Sequence, residues 1–222
     1  MTRIFNFDTE KQWDYENGYY LTSHPTRLAK SIVHWELYQK SLNLPGDIVE
    51  CGVFKGASLI RFATYREMCE STYSRKIVGF DTFGEFPLSG DTNDREFIRR
   101  WAVETGSGIT LSELEQCLDY KSFSNIELVK GDLLKTLPEY IKRNPQFRIS
   151  LLHIDVDVYE PTKVIFEQLY PLVVCGGIII FDDYGTVAGE TQAVEEYFEI
   201  NNIPLELRKT PFYKVPSYII KK

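Results

Sequence analysis

The stretch that decides the fold is DIVECGVFKGAS, residues 47–58, in which a short apolar run ends in a glycine turn that opens a helix. Strand, glycine turn and helix in this order are typical of the ligand-binding turn of doubly wound α/β folds, because glycine lets a ligand approach the backbone. The middle glycine of the dinucleotide fingerprint is missing. The acid at Glu50 suits a cationic or hydroxyl-bearing ligand group better than a pyrophosphate. The alternative to a ligand-binding turn is a plain tight turn without a ligand.

Outward from this turn, short apolar runs alternate with longer amphipathic stretches, which is typical of an α/β domain with a parallel sheet. The β-branched runs predict strands that are covered on both faces. These strands are Asp47–Cys51, Lys76–Asp81, Asn125–Lys130, Ser150–Asp155 and Gly177–Asp182, followed by Leu205–Lys209 and Ser217–Ile220. Helices are predicted at Pro25–Ser41, Ala57–Cys69, Pro161–Tyr170 and Thr191–Ile200.

Composition limits the classes of protein that fit. The 222 residues suit one domain, 1–222, and 43% hydrophobic residues exclude disorder. A net charge of -7 argues against a nucleic-acid partner. The uncharged run Gln168–Phe181 is too short for a membrane span. We see no secretion signal and no C-x-x-C pair among the four cysteines, so a cytoplasmic location with reduced thiols is expected.

Two segments extend the predicted sheet domain. Residues 1–45 are predicted to form an N-terminal helical extension. Residues 82–124 are far longer than a normal crossover and predict a lid-like insertion, with an extra structural helix as the alternative. The cluster Arg95, Arg99 and Arg100 in this insertion suits an anionic substrate or, more simply, a solvated helix face.

Acids follow the next two strands. Asp81 ends VGFD, where an acid can accept hydrogen bonds from ribose hydroxyls, and Asp132 follows the third strand in KGD, near the expected adenine edge. For each acid taken singly, the alternative is a helix N-cap.

The fourth and fifth strands bring a second group of acids to the same edge. Asp155 and Asp157 end the fourth strand and Asp182 and Asp183 end the fifth. Because adjacent strands lie about 4.8 Å apart, Asp155, Asp182 and Asp183 are expected to converge and to bind a hard cation, Mg²⁺ or else Ca²⁺ or Mn²⁺. Asp157 is the candidate general base, and capping acids are the alternative. We expect His153, inside the apolar run, to be a satisfied core histidine.

Five motifs now stand in order along the chain, and together they resemble the macrocin O-methyltransferase family. They are DIVECGVFKGAS, VGFDTF, KGDLLKTLP, LLHIDVDVYEPT and GGIIIFDDYG. The resemblance implies an enzyme that depends on S-adenosylmethionine and a metal and that methylates hydroxyls on sugars of natural products and glycans. It also implies an α/β Class I methyltransferase fold, a Rossmann-like three-layer sandwich whose seven-stranded, mostly parallel sheet has an antiparallel last strand.

The same resemblance implies a role for each candidate. It assigns Glu50, Gly52 and Ser58 to the methionine part of the cofactor, Asp81 to the ribose and Asp132 to the region near the adenine. Val53, Gly56 and Asp155 complete the predicted cofactor set. The metal ligands would be Asp155, Asp182 and Asp183, with Asp157 as general base.

The sequence therefore predicts an S-adenosylmethionine- and Mg²⁺-dependent sugar O-methyltransferase that acts by metal-assisted deprotonation and in-line attack. A catechol-type O-methyltransferase, an NAD-dependent oxidoreductase and a module that holds cofactor without turnover are the alternatives. The expected partner is a small-molecule or glycan substrate. The acceptor sugar, its carrier and the oligomeric state, including a homo-oligomer, stay open.

Overall fold

The apolar runs form the middle of a seven-stranded sheet in the computed structural model. It describes residues 3–86 and 92–222, with the backbone alone for Thr92, Asn93 and Phe97. The strands are β1 (Arg3–Ile4), β2 (Phe7–Asp8), β3 (Asp47–Cys51), β4 (Ile77–Asp81), β5 (Ile126–Lys130), β6 (Ile149–Ile154), β7 (Val173–Phe181), β8 (Arg208–Lys209) and β9 (Ser217–Ile220).

The sheet has the order β5-β4-β3-β6-β7-β9-β8, and β1 and β2 form a separate antiparallel pair. Strands β3 to β7 pair in parallel, whereas β9 runs antiparallel to both β7 and β8. The predicted fold class is confirmed. All five central strands point their carboxyl ends to one edge of the sheet, where ligands bind in folds of this kind.

Helices connect the parallel strands and extend the chain before the first of them. They are α1 (Gln12–Thr22), α2 (Pro25–Ser41), α3 (Ala57–Cys69), α4 (Thr92–Thr105), α5 (Leu111–Tyr120), α6 (Leu133–Arg143), α7 (Tyr159–Leu169) and α8 (Ala188–Ile200). Within the described part of the chain, no helix has the length and apolar character that crossing a membrane requires.

Strict alternation of side chains divides the core into two layers. In β6, Leu152 and Ile154 pack toward α6, α7 and α8, whereas Leu151 packs toward α2 and α3. In β7, Phe181 faces the first layer and Ile180 the second. By this alternation the next residue, at position 182, belongs on the α2 side.

Several elements differ from the sequence prediction. Strand β7 begins at Val173 rather than at residue 177, and α7 begins at Tyr159 rather than at residue 161. Helix α1 lies within the predicted helical extension, α4 and α5 lie within the predicted insertion, and α6 was not predicted. Helix α6 forms despite Pro138 in its interior, because Asp132 caps its first turn and its apolar stripe is buried against the sheet. Residues 87–91 of the predicted insertion lie outside the described residues.

Candidate active site

A cavity of about 890 Å³ opens at the carboxyl edge of the sheet. Loops after β3, β4, β5, β6 and β7 all contribute to its walls, and helices α2, α3 and α4 complete them. Most of the predicted site residues line it, namely Gly52, Val53, Ser58, Asp81, Asp132, Asp155, Asp157, Asp182 and Asp183. Glu50 and Gly56 are not among the lining residues.

The glycine turn after β3 has a strict steric requirement. Gly52 has a φ of +87°, and a Cβ added there would lie 1.8 Å from the carbonyl oxygen of Asp155. Only glycine avoids this clash. Gly56, at φ +78°, is the residue before α3, and a Cβ there would lie 2.9 Å from the Leu114 side chain. The absence of a side chain at Gly56 therefore allows the turn to pack against Leu114.

Asp81 organises this turn from the neighbouring strand. Its Oδ2 accepts hydrogen bonds from the backbone N–H groups of Val53 at 2.7 Å and Phe54 at 3.0 Å, and its Oδ1 accepts one from Phe83 at 2.6 Å. The carboxylate thus joins β3, β4 and the start of the insertion while it lines the cavity. These hydrogen bonds to the backbone were not predicted from the sequence.

Asp132 is the N-cap of α6. Its carboxylate accepts a hydrogen bond from the Leu134 N–H at 3.0 Å, as the capping alternative predicts, and it also lines the cavity. Its Oδ2 lies 3.9 Å from the exposed Lys135 ammonium. Capping and a ligand-facing position are therefore compatible at this residue.

A group of charged side chains, which we call the closed cluster, consists of Lys30, His34, Glu50, His153 and Asp182. Lys30 and Asp182 line the cavity, whereas the other three residues are fully buried. His153 is fully buried; its Nδ1 lies 3.0 Å from Glu50 Oε1 and its Nε2 lies 3.3 Å from Asp182 Oδ1. The Lys30 ammonium donates a short hydrogen bond to Asp182. His153 is thus a satisfied core histidine, as predicted, but its two partners are carboxylates.

Charge compensation governs the pKa values of this cluster. Burial opposes protonation of His153, yet the hydrogen bonds and charges of Asp182 and Glu50 outweigh it and raise its pKa to about 10. Burial alone favours neutral Asp182, but His153, His34 and Lys30 hold its pKa well below the usual range. His34, 3.9 Å from Asp182, stays neutral, because burial lowers its pKa to about 4.

Next to the closed cluster lies an open cluster, which we define as Asp155, Asp157 and Asp183. Each of the three residues offers one carboxylate oxygen, and these atoms lie within 4.8 Å of one another. Burial and then the neighbouring carboxylates raise the pKa values of all three. Asp157 has a φ of +64°, a sparsely populated conformation that turns the chain here.

The predicted metal ligands are therefore divided between two clusters. Asp155 and Asp183 lie together as expected, whereas Asp182 belongs to the closed cluster and the third member of the open cluster is Asp157. Strand alternation puts residue 182 on the face of Ile180, but it puts residue 155 on the same side of the sheet, so alternation alone does not predict this division.

Buried Glu190 is a further residue that sequence reasoning missed. Its Oε1 accepts a hydrogen bond from the Asp183 N–H at 3.1 Å, and burial followed by the nearby aspartates raises its pKa well above the ordinary value. It therefore supports the backbone under the open cluster.

Helix α4, in the predicted insertion, forms one wall of the cavity through Ile98, Trp101 and Thr105. At its start, Asp94 accepts a hydrogen bond from the Tyr159 N–H at 3.0 Å, so the helix is anchored beside the loop that carries Asp157. Arg99 and Arg100 are exposed and do not line the cavity, which matches the solvated-face alternative.

Comparison with known proteins agrees with this geometry. A family model described as Macrocin-O-methyltransferase (TylF) matches residues 36–215. The chain is 30% identical over 158 residues to the 8-demethyl-8-(2,3-dimethoxy-alpha-L-rhamnosyl)-tetracenomycin-C 4'-O-methyltransferase of Streptomyces olivaceus, a match that covers 69% of this chain and 58% of that protein. It is 30% identical over 159 residues to demethyldecarbamoylnovobiocin O-methyltransferase of Streptomyces niveus, with 70% and 59% covered. The chain thus spans less than two thirds of these relatives' length.

Two solved structures share the fold. The crystal structure of CalS11, a calicheamicin methyltransferase, superposes with a TM-score of 0.73 at 29% identity, over 96% of this chain and 86% of that one. The O-methyltransferase NovP superposes with the same TM-score at 24% identity, over 87% and 79%.

Proposed function

Because the chain belongs to the macrocin O-methyltransferase family, we propose that it transfers a methyl group from S-adenosylmethionine to a hydroxyl of a sugar. The names of its relatives support this proposal, since they are O-methyltransferases of glycosylated antibiotics. One observation carries it: a single cavity combines the glycine turn after β3 with a cluster of three carboxylates.

In this proposal the cofactor lies on the side of the cavity formed by the first three strands. Gly52, Val53 and Ser58 surround its methionine part, Asp81 receives the ribose hydroxyls and Asp132 lies near the adenine. When bound, S-adenosylmethionine supplies an electrophilic methyl group on a sulfonium. Glu50, whose carboxylate is bonded to His153 below the cavity, acts by holding that histidine in place.

The open cluster fits a hard divalent cation. Three carboxylate oxygens within 4.8 Å of one another, with raised pKa values, gain stability from a cation that replaces protons. Asp155 and Asp183 are the proposed ligands, and Asp182 can join them only if the Lys30 ammonium leaves it. A bound Mg²⁺ would lower the pKa of a sugar hydroxyl held against it.

Asp157 is the proposed general base. Asp157 lies within the open cluster beside the proposed ligands Asp155 and Asp183, where its carboxylate can accept a proton from a hydroxyl held at the cation. Bound S-adenosylmethionine would supply its methyl group to the hydroxyl oxygen and leave as S-adenosylhomocysteine, and Asp157 would accept the hydroxyl proton. Helix α4 and its anchor at Asp94 would cover the reacting groups as a lid.

Calorimetry tests the cofactor and metal parts of the proposal separately. We expect the purified chain to bind S-adenosylhomocysteine and not NAD, and to bind Mg²⁺ in the millimolar range or tighter. We expect Asp155→Ala to lose Mg²⁺ binding while it keeps its affinity for S-adenosylhomocysteine. Failure to bind S-adenosylhomocysteine, or full activity in excess EDTA, would contradict the proposal.

A radiolabelled methyl donor tests the acceptor class. We expect label to transfer to glycosides or sugar nucleotides and not to catechols. We expect Asp157→Asn to lose transfer by at least about 100-fold, the range typical of general-base loss. Transfer of the label to catechols alone would show that the acceptor is aromatic and not a sugar.

A further inference from the structure

Cationic side chains also line the cavity, and they come from α2 and α3. They are Arg27 and Lys30 on α2 and Arg61 on α3. Arg27 and Lys30 are three residues apart, so they are neighbours on one helix face. Arg61 follows the cavity-lining Ser58 by three residues and lies on the same face of its helix.

The two helices are held together close to these cations. The Tyr65 hydroxyl, one turn beyond Arg61, donates a hydrogen bond to the carbonyl oxygen of Ser31, next to Lys30, at 2.9 Å. The rings of Trp35 and Tyr65 pack edge to face with centroids 5.1 Å apart. The cations are thus carried by rigid, packed elements, which keeps their positions defined.

The three cations differ in whether they have a partner. Lys30 is paired with Asp182 in the closed cluster. In contrast, neither the Arg27 nor the Arg61 guanidinium has a carboxylate or carbonyl partner within residues 3–86 and 92–222. Arg61 is half-buried, whereas Arg27 is exposed at the rim of the cavity that it lines. A partly desolvated guanidinium beside a pocket, with its hydrogen-bond donors unused, favours an anionic ligand.

Resting on the proposed function, we propose that the acceptor is a sugar carrying a phosphate or diphosphate, which Arg27 and Arg61 bind. Guanidinium groups match phosphate through paired hydrogen bonds, and two of them suit a doubly charged group better than a single carboxylate. The phosphate and the reacting hydroxyl are on different carbons of the sugar ring, so the arginines can bind the anion while the open cluster faces the hydroxyl.

The size of the cavity is consistent with this second ligand. At about 890 Å³ it is near the upper end of the roughly 300–1,000 Å³ found for small-molecule sites, so it has room beside the cofactor.

Calorimetry on the full chain saturated with S-adenosylhomocysteine tests the assignment. The probes are uridine diphosphate, glucose 1-phosphate and uncharged methyl glucoside, all in EDTA, so that no metal mediates phosphate binding. We expect at least one phosphate-bearing probe to bind at least 10-fold more tightly than methyl glucoside. A preference for uridine diphosphate would indicate a nucleotide sugar, and equal binding of the two would indicate a sugar phosphate. Each supports the proposal.

Variants locate the anion. We expect Arg27→Gln and Arg61→Gln each to weaken binding of the phosphate-bearing probe at least 10-fold. We expect Arg99→Gln, which removes an exposed arginine outside the cavity, to leave it unchanged. Unchanged S-adenosylhomocysteine affinity in all three variants would verify that the cavity is intact.

Three results would overturn the proposal. Phosphate-bearing probes that bind no better than methyl glucoside would show that the cavity does not select an anion. Equal losses in Arg99→Gln would show a non-specific charge effect. A loss of S-adenosylhomocysteine affinity in Arg61→Gln, with probe binding intact, would assign that arginine to the cofactor carboxylate. If the unmodified chain fails to bind S-adenosylhomocysteine at all, the proposed function fails first and this inference with it.

Discussion

Asp182 and Asp183 are consecutive in the chain and yet lie in opposite electrostatic environments. Asp182 is surrounded by Lys30 and two histidines, which hold its pKa well below the ordinary value. Burial followed by the charge of Asp182 raises the pKa of Asp183. The closed cluster carries its own compensating cations, whereas the open cluster does not. The pKa values of carboxylates at the sheet edge therefore depend on the cations that lie beside them more than on the number of carboxylates.

The closed cluster therefore has the character of a structural element, whereas the open cluster is the proposed binding site. Uncompensated carboxylates reduce stability until a ligand or protons neutralise them, so they are retained where binding occurs. Substitutions at the two neighbouring aspartates test whether the clusters differ in this way.

The largest effect is expected from Asp182→Asn. The change leaves the Lys30 ammonium and the protonated His153 without their shared buried partner, and removing one member of a buried ion pair costs about 3–5 kcal/mol. We expect the free energy of unfolding, measured by urea denaturation in EDTA, to fall by about 3 kcal/mol. Asp183→Asn is the matched control and loses none. Equal losses in both variants would remove the distinction between the clusters.

The next effect concerns Mg²⁺. If the open cluster binds the ion only in the folded state, Mg²⁺ at 100 times its dissociation constant stabilises the protein by about 2.7 kcal/mol. We expect this gain in the unmodified chain and its loss in Asp183→Asn, measured by urea denaturation with and without the ion. Ca²⁺ and Mn²⁺ serve as comparison ions. A full Mg²⁺ response in Asp183→Asn would contradict the assignment of that carboxylate.

The smallest effect is a pH dependence. A carboxyl group whose pKa is raised on folding contributes stability that is present below its unfolded value, near 3.8, and lost as the pH rises through the folded value. Without metal, Asp183→Asn is therefore expected to become more stable than the unmodified chain as the pH rises from 4 to 8, by on the order of 1 kcal/mol. Stability curves in EDTA at several pH values measure this difference. A constant or decreasing difference would show that Asp183 is not repelled by its neighbours.

Much of the fold was predictable from local patterns. Parallel strands covered by helices consist of nearly continuous apolar residues, so β3 to β6 were found close to their observed bounds. Helix α6 was missed because Pro138 lies in its interior, although its amphipathic pattern is visible in the sequence. Strand β7 is longer than predicted because Val173–Cys175 looks like a helix exit until it is paired with β6.

For the site, the sequence by itself determined which acids reach the carboxyl edge, because strand ends in a parallel sheet coincide there. It also determined the glycine at position 52, whose backbone leaves no room for a side chain.

Only the tertiary structure decided how those acids are divided. Lys30 and His34 lie about 150 residues before Asp182 in the chain and come close to it only when α2 packs on the sheet. Charges interact through space over a few ångströms, so sequence spacing carries no information about such partners. The same packing of α2 on α3 brings Arg27 and Arg61 to the cavity. The proposed phosphate site therefore depends on contacts between helices that sequence spacing does not show.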